Sequence, residues 1–324
     1  VPEIYISCII CSYYMLFYIL MEIIPLDQGS LEKLCFALHE SEVEPVLGVI
    51  QISHGMAEHM GRYSHFIHFL NQEGFHVVIH DHRGHGQRLT DNYKGYFGRP
   101  DGWDLVVDDL ISIHSWAKST YSHLPHILLG HSMGSWISLA ALQKGTSFDV
   151  TLLSGSSKPK FFEGRVQKLL AQFESFRQGK LGYSNFLHKL IFGGFNSKFD
   201  NTQGPNDWLS NDELSVEGYT ADPLCGFVVT NQLWLDVIDG VTAVFEKGQL
   251  ELISNQIPLL VFSGKDDPVG AMGQGTIALH QSLVTAGLKS SLLLIEGARH
   301  ETLNEITKMN TYNEIITFIK NNLT

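Results

Sequence analysis

Residues 126–142 constrain the fold of this chain more than any other stretch. An apolar run, His126–Leu129, leads into the turn Gly130-His-Ser-Met-Gly134, and a helical pattern follows. A strand, a sharp turn and a helix in this order hold the hydroxyl of Ser132 clear of the sheet, while the glycines let the elements pack closely. The stretch therefore predicts Ser132 as a nucleophile and the backbone N–H of Met133 as a donor to an oxyanion above it.

Strand and helix patterns alternate along most of the chain. The predicted strands cover residues 31–39, 46–53, 75–80, 126–129, 150–155, 258–263 and 290–295. The predicted helices cover residues 63–70, 104–121, 132–142, 275–286 and 301–321. Repeated units with nearly continuous apolar strands are typical of a parallel sheet that helices cover on both faces. We therefore predict an α/β fold.

The alternation stops between residues 157 and 250. This segment has several helical patterns and many aromatic residues, but no comparable strand pattern. It is too long and too apolar for a loop, so we predict a helical cap inserted into a core made of residues 21–156 and 251–324. The apolar segments of such a cap suit transient contact with a membrane surface.

Residues 1–20 form an apolar segment that is slightly short for a membrane span. No Lys or Arg precedes Lys33, whereas a secretory signal begins with basic residues, and Met21 opens a stretch typical of a cytoplasmic protein start. We predict that residues 1–20 lie outside the fold of a cytoplasmic protein. The segment leaves membrane anchoring open.

Composition narrows the range of partners. The net charge is -12, which gives no electrostatic support to a nucleic-acid partner and favours a small-molecule or lipid substrate. The chain could bury a large core, and nothing in it predicts an oligomeric state. No disulfide framework or redox site is predicted, because the four cysteines are scattered: Cys8, Cys11, Cys35 and Cys225.

A serine hydroxyl needs a base within hydrogen-bond reach, and the base needs a carboxylate that orients it. After residue 190 the chain has two histidines, His280 within a predicted helix and His300 in the loop after the last strand. We predict His300 as the base, because that loop lies at the same edge of the sheet as Ser132. The acid should follow the preceding strand, and we favour Asp267 over Asp266 there.

A second oxyanion donor should come from the loop after an early strand, and the backbone N–H of Met56 in His54-Gly-Met fits that place. A metal site is the alternative for a chain with 16 histidines. His80-x-His-x-x-His85 has the histidine spacing of a metallo-β-lactamase motif, but Gly84 stands where that motif needs Asp. We predict neither a metal nor a cofactor.

Three motifs together resemble one family. They are His54-Gly-Met-Ala-Glu-His59 with Gly61-Arg-Tyr63, Asp81-His-Arg-Gly-His-Gly86, and Gly130-His-Ser-Met-Gly134. The chain resembles the monoacylglycerol lipase and lysophospholipase branch of the α/β-hydrolases, which often carries a serine aminopeptidase label. The resemblance covers about residues 22–324. It implies an eight-stranded, mostly parallel α/β-hydrolase core, a helical cap over the serine, and hydrolysis of carboxylic esters without a cofactor.

The chain departs from this family pattern at two places. Gln87-Arg88 follows the glycine-rich loop where relatives often have Ser, and Ser135 stands where relatives often have Gly. Neither place belongs to the predicted triad. Both leave the substrate less defined.

The residues and the resemblance together predict a serine hydrolase of acyl esters, with monoacylglycerol or lysophospholipid as the favoured substrate. A peptidase or amidase would use the same triad but would need carboxylates in the cap to hold an amine. Six are available: Glu163, Glu174, Asp207, Asp212, Glu213 and Glu217. Two further classes of protein are weighed against these enzymes: a non-catalytic receptor on the same fold, and a metallohydrolase.

Overall fold

The computed structural model describes residues 22–26, 34–99, 101–200 and 202–323. The prediction for residues 1–20 concerns a segment outside this described part. Among the described residues, no helix combines the length and the apolar character needed to cross a lipid bilayer.

The described strands form a single sheet of eight. They are β1 (Glu22–Leu26), β2 (Leu34–His39), β3 (Gly48–Ser53), β4 (Phe75–Ile79), β5 (His126–His131), β6 (Val150–Ser154), β7 (Leu259–Gly264) and β8 (Ser290–Ile295). Their order is β1-β2-β4-β3-β5-β6-β7-β8. β1 and β2 are antiparallel to their neighbours, and all pairs from β4 to β8 are parallel. The predicted eight-stranded, mostly parallel sheet is confirmed.

Helices cover both faces of this sheet. The α-helices of the described residues are α1 (Ser64–Gln72), α2 (Gly102–Thr120), α3 (Met133–Gln143), α4 (Phe161–Gln178), α5 (Asn185–Phe192), α6 (Glu213–Ala221), α7 (Asn231–Val244), α8 (Gln274–Thr285) and α9 (Lys308–Asn322). Side chains of α1 and α9 share one core cluster with the strands. Side chains of α2, α3, α7 and α8 share the other.

Strand β5 shows how the sequence produces the two layers. Leu128 lies in the cluster with α2 and α3, whereas Ile127 and Leu129 lie in the cluster with α1 and α9. Successive side chains of a strand point to opposite faces, so both faces of β5 need apolar residues. All six residues of the strand are buried. The apolar run thus fixes β5 in the centre of the sheet, with the Ser132 turn at its carboxyl end.

The segment 157–250 begins after β6 with α4, α5 and α6. Trp208, Leu209 and Tyr219 form a smaller cluster here. Ala171 of α4, Leu187 of α5 and Trp234 of α7 belong instead to the same core cluster as the side chains of α2 and α3. The division into a core and a cap at residues 157–250 stays a proposal, within which α7 packs on the core helices.

Two elements differ from the sequence predictions. Residues 22–26 form strand β1, which the sequence did not predict. The helix predicted from Glu301 is wrong at its start, because α9 begins at Lys308. The side chain of Glu301 binds Arg62 and its N–H donates to the carbonyl of Leu209 at 2.8 Å, so no α-helix begins here, and Thr302–Asn304 form a short 3₁₀ helix before α9.

Candidate active site

Ser132 has a strained backbone between β5 and α3, with φ 51° and ψ −119°. Such a conformation costs a non-glycine residue about 1–3 kcal/mol and persists only where its surroundings enforce it. Here the Ser132 N–H donates to the carbonyl of Ser154 at 2.9 Å. A Cβ at Gly134 would lie 2.1 Å from the carbonyl oxygen of Ser53, so only glycine lets α3 approach β3 this closely. The structure therefore presents the half-buried Ser132 on the sharp turn that its sequence predicts.

Ser135, one of the departures from the family pattern, supports this turn. Its hydroxyl lies 2.6 Å from the carbonyl oxygen of Ser132 and 2.7 Å from the hydroxyl of Ser156. The extra hydroxyl is fully buried and bonded, so the chain accommodates serine at this position.

Asp267 and His300 form a buried pair. His300 Nδ1 lies 3.0 Å from Asp267 Oδ2, and the Ser263 hydroxyl donates to the same oxygen at 2.6 Å. The N–H of Val269 donates to Asp267 Oδ1 at 2.9 Å. The alternative acid, Asp266, is half-buried and does not make this bond.

Each member of the pair shifts the pKa of the other: the pKa of Asp267 is lowered and the pKa of His300 is raised. Burial alone would raise the pKa of Asp267, but the charge of His300 and the hydrogen bonds to the carboxylate outweigh burial and lower that pKa. Burial alone would lower the pKa of His300, but the charge and hydrogen bond of Asp267 outweigh it and raise that pKa. Asp267 therefore stays ionised and favours the protonated form of His300.

His300 lies beside the Ser132 turn. A Cβ at Gly155, the residue after the hydrogen-bond partner of Ser132, would lie 3.0 Å from His300 Cε1. The ring centroids of His131 and His300 are 5.0 Å apart. His280, the second candidate base, instead has its Nδ1 2.9 Å from the hydroxyl of Ser290. The structure thus pairs His300 with Asp267 and places His300 next to Gly155 and His131, which flank the Ser132 turn, and the triad stays a prediction.

The loop that contains Met56 is fixed by its neighbours. Its His54 Nδ1–H donates to the carbonyl of Gly55 at 2.8 Å, and the Gly55 N–H donates to Glu58 at 2.5 Å. A Cβ at Gly55 would lie 3.4 Å from Cβ of Ser132, so this loop borders the serine. Met133 is the first residue of α3, where a backbone N–H has no partner within the helix. Oxyanion binding by Met56 and Met133 stays a prediction.

Comparison with known proteins assigns the family. A family model described as "Serine aminopeptidase, S33" matches residues 44–307. The chain belongs to this S33 family of α/β-hydrolases. The S33 chain is 27% identical over 282 residues to a monoglyceride lipase of Rattus norvegicus, which covers 85% of this chain and 83% of the relative. It is 25% identical over 277 residues to a monoacylglycerol lipase of Mycolicibacterium smegmatis, with 85% and 89% covered.

Solved structures share the fold of the S33 chain. A thermostable carboxyl esterase from Bacillus coagulans, in complex with glycerol, superimposes with a TM-score of 0.85 at 23% identity and covers 94% of this chain and 99% of its own. A monoglyceride lipase variant from Saccharomyces cerevisiae, in complex with a substrate analog, gives a TM-score of 0.72 at 16% identity, with 94% and 96% covered. The α/β-hydrolase fold is confirmed.

A buried ion network of the S33 chain was not predicted from its sequence. Arg62 Nη2 donates to Glu301 at 2.7 Å, and Arg62 Nη1 lies 3.4 Å from Glu58. The Tyr63 hydroxyl donates to Glu58 at 3.0 Å. Burial raises the pKa of Glu58, whereas Arg62 outweighs burial at Glu301 and lowers its pKa. The network joins the loop of Met56 to the residue after His300.

Four buried histidines lie close together, one of them in the Met56 loop: His54, His80, His82 and His85. The ring centroids of His54 and His82 are 4.3 Å apart, and those of His80 and His82 are 4.8 Å apart. Burial lowers the pKa of His80 and of His85 to about 4. These rings are therefore neutral near pH 7 and fill the interior as uncharged groups.

A group of side chains of the types that can bind metals lies at the border of the cap. Within the described residues, His59, Asp222 and Cys225 form the group whose ligating atoms all lie within 4.8 Å of one another. Both nitrogens of His59 are already engaged, because Nε2 lies 2.9 Å from Asp222 Oδ2 and Nδ1 accepts from the N–H of Gly61 at 3.1 Å. The arrangement holds the segment after α6 against the loop of Glu58.

The loop of His300 is bonded to the cap of the S33 chain. Arg299 Nη1 donates to the carbonyl of Asp207 at 2.6 Å, and its guanidinium lies 4.1 Å from the centroid of the Phe199 ring. The rings of Trp208 and His300 are 5.4 Å apart. The segment Asp207–Leu209 thus covers one side of the predicted base.

Three of the six cap carboxylates considered for amine binding have local partners. Glu174 is buried and accepts from Arg177 and Ser184, both at 2.7 Å. Asp207 accepts a hydrogen bond from the N–H of Gly204 at 3.1 Å. Asp212 is the N-terminal capping residue of α6 and accepts a hydrogen bond from the N–H of Ser215 at 3.3 Å. The remaining two whose side chains are described, Glu213 and Glu217, are exposed, and the side chain of Glu163 lies outside the description.

Proposed function

We propose that this carboxylic ester hydrolase is a serine enzyme that cleaves monoacylglycerols or lysophospholipids through an acyl-enzyme. The observation that carries the proposal is the buried Asp267–His300 pair beside the strained Ser132 turn. The names of the relatives, which are lipases of monoacylglycerols, support this lipid-ester class of substrate. A lipid substrate in turn favours transient contact of the cap with a membrane surface.

In the proposed mechanism, His300 Nε2 takes the proton of the Ser132 hydroxyl, and the oxygen of Ser132 attacks the carbonyl carbon of the ester. The N–H groups of Met56 and Met133 hold the negative oxygen of the tetrahedral intermediate, and losing one such donor typically costs about 3–4 kcal/mol. His300 then protonates the leaving alcohol and an acyl-Ser132 ester remains. A water molecule repeats these steps, releases the acid and restores the serine.

Asp267 has the orienting role in this mechanism. Its carboxylate accepts the Nδ1–H of His300, which leaves Nε2 free to accept the serine proton. The raised pKa of His300 matches a group that becomes positively charged during each half of the reaction. Because Ser263 and Val269 also donate to Asp267, the orientation of this carboxylate is fixed.

The test is turnover by wild type and Ser132→Ala on four substrates: a monoacylglycerol, a lysophosphatidylcholine, a short aryl ester and an aminoacyl amide. We expect the variant to lose about 10⁴-fold or more on every ester, because the nucleophile is gone. Ser115→Ala is the matched control, since that hydroxyl is exposed on α2 and bonds to the carbonyl of Ile111 at 2.9 Å.

The outcomes separate the competing functions. Preference of wild type for one of the two lipids identifies the head group. Cleavage of the amide alone would establish a peptidase and would make the exposed Glu213 and Glu217 candidates for amine binding. Turnover that persists in Ser132→Ala, or that a chelator abolishes, would contradict the serine mechanism.

A further inference from the structure

Ala57, the residue after the proposed oxyanion donor Met56, has a backbone conformation that favours glycine. Its φ is 54°, in the left-handed region, and the residue is buried. A residue with a Cβ adopts this region only at a cost, so the surrounding structure must hold it there. Because Ala57 adjoins Met56 directly, the groups that hold Ala57 also limit the position of the Met56 N–H.

The cap supplies groups that hold Ala57. The hydroxyl of Tyr219 on α6 donates to the carbonyl of Ala57 at 3.1 Å, and the N–H of Gly226 donates to the same oxygen at 2.9 Å. Asp222 lies between these two residues in the chain, and its carboxylate is 2.9 Å from His59 Nε2. The end of α6 and the segment after it therefore contact the loop of the oxyanion donor at two places.

The core fixes the other side of this turn. The N–H of His82 donates to Nε2 of His54 at 2.9 Å, so the proton of the His54 ring lies on Nδ1. Nδ1–H donates to the carbonyl of Gly55 at 2.8 Å. The peptide bond between Gly55 and Met56 is trans, so its N–H points away from the carbonyl that His54 holds. The core thus orients the Met56 N–H from one side, and the cap holds the next residue from the other.

Tyr219 is suited to a lasting contact of this kind. Its side chain is buried, and the guanidinium of Arg62 lies 4.8 Å from the centroid of its ring. Burial raises the pKa of Tyr219 well above its ordinary value, so the hydroxyl keeps its proton at neutral pH and remains a donor. Arg62 also binds Glu301, so the ring packs against the ion network that reaches the residue after His300.

We propose that Tyr219 is a positioning residue, whose hydroxyl holds Ala57 in the left-handed conformation and thereby keeps the Met56 N–H in place for the oxyanion. The inference rests on the proposed function, in which Met56 supplies one of the two oxyanion donors. Such donors stabilise the developing charge because they are already in position when it forms. Loss of the hydroxyl should therefore slow the chemical step more than it weakens substrate binding.

Tyr219→Phe removes the hydroxyl and keeps the ring. We expect kcat on a soluble ester to fall about tenfold and KM to change less than about twofold, since only the transition state carries the negative oxygen. Affinity for a trifluoromethyl ketone, which forms an oxyanion with a catalytic serine, should fall by a similar factor.

Tyr183→Phe is the matched control. The Tyr183 hydroxyl also belongs to the cap and donates to a carbonyl of the core, that of Lys94 at 3.3 Å, but it is bonded to a different part of the core from Tyr219. This variant should keep the kcat and the inhibitor affinity of wild type. All rates are normalised to active sites titrated with a fluorophosphonate, so unfolded protein does not contribute to a lowered kcat.

A second background isolates the conformation of Ala57. Ala57→Gly removes the Cβ that disfavours the left-handed region, so the turn depends less on the hydroxyl. In this background, Tyr219→Phe should lower kcat by less than about threefold, because the two residues act through the same turn. Equal losses in both backgrounds would show that the hydroxyl acts elsewhere and would overturn the proposal.

The outcomes also separate this proposal from the proposed function. If the serine mechanism is wrong, Ser132→Ala keeps its activity, whatever the effect of Tyr219→Phe. If only the positioning role is wrong, Ser132→Ala is inactive while Tyr219→Phe keeps the kcat of wild type. A raised KM at unchanged kcat in Tyr219→Phe would likewise contradict positioning, since it is the result expected of a hydroxyl that binds substrate.

Discussion

Asp267 sets the charge that surrounds the proposed base. It receives two further hydrogen bonds besides that of His300, so replacing its charge by an amide changes the electrostatics more than the packing. The consequence is visible in the pH dependence of activity, because kcat/KM falls when the base of the free enzyme is protonated.

We expect the acid limb of kcat/KM in wild type to lie above pH 6.5, since the pKa of His300 is raised from that value. Asp267→Asn should move the limb to lower pH, because the negative charge that favours protonated His300 is removed, and should lower kcat about 10⁴-fold. A pH–rate profile of both proteins checks this. Asp266→Asn is the control, and a limb that stays in place in Asp267→Asn would rule out its contact with the active base.

The sequence predicted residues of the site that depend on local pattern and chain order. Ser132 follows from its strand, turn and helix, and His300 follows from its place after the last strand. Glu301 had no such signal, because its partner Arg62 lies 239 residues away. Glu58 and Arg62 belonged to a family motif, but only the structure shows that they form an ion network with Glu301.

Among the elements, the loop of Arg299 and His300 is held in position by contacts with the cap as well as by the strand that precedes it. The Arg299 side chain contacts the carbonyl of Asp207 and the ring of Phe199, and its N–H donates to Glu305 at 2.8 Å. A loop held in this way keeps the imidazole in place without a helix or strand of its own.

Arg299→Gln should lower kcat about tenfold and change KM less, because a neutral, shorter side chain loses the bonds to the cap and the imidazole spends less time in place. Steady-state kinetics on a soluble ester measures both constants. Lys308→Gln is the matched control, since Lys308 also binds the cap, through Asp212 at 3.3 Å, but lies further along the chain from His300. Equal effects of the two substitutions would indicate a general loosening of the cap instead.

Most strands could be predicted because successive residues face two buried layers, as in β5, and most helices because their apolar residues recur at helical spacing. Strand β1 could not be predicted, because it lies at the edge of the sheet and pairs only with β2. Its five residues do not indicate a strand without that partner. The start of α9 could not be predicted either. Glu301 is compatible with an α-helix, and only its ion pair with Arg62 shows why no α-helix begins there.

At the scale of the whole molecule, buried histidines link stability to pH. Burial lowers the pKa of four of them from 6.5 to about 4, and these are His39, His80, His85 and His114. The unfolded chain binds more protons at these residues between pH 6.5 and about 4, so the free energy of unfolding falls as pH decreases through that range. The raised pKa of His300 acts in the opposite direction, but it is a single group.

His80 offers a direct test of this link between stability and pH. Neither of its ring nitrogens has a hydrogen-bond partner among the described residues, so replacing it removes a titrating group without breaking a hydrogen bond. We expect the free energy of unfolding of wild type to be highest above pH 6.5 and to fall steeply below it. His80→Phe should reduce this slope by up to about 1.4 kcal/mol per pH unit, the contribution of one group. Urea unfolding at several pH values measures it, with His123→Phe at an exposed position as control; equal slopes would contradict the expectation.

The order of strands in the sheet also has a consequence for how the molecule assembles during synthesis. β5 and β6 pair residues that are close in the chain, such as Ile127 and Val150, whereas β6 pairs with β7 across the whole segment between Ser154 and Leu259. Contacts between distant residues form late, and the earlier part of a chain folds first on the ribosome. The turn of the proposed nucleophile can thus form before the proposed acid and base have been translated, and under the proposed mechanism a nascent chain stays inactive until His300 has emerged.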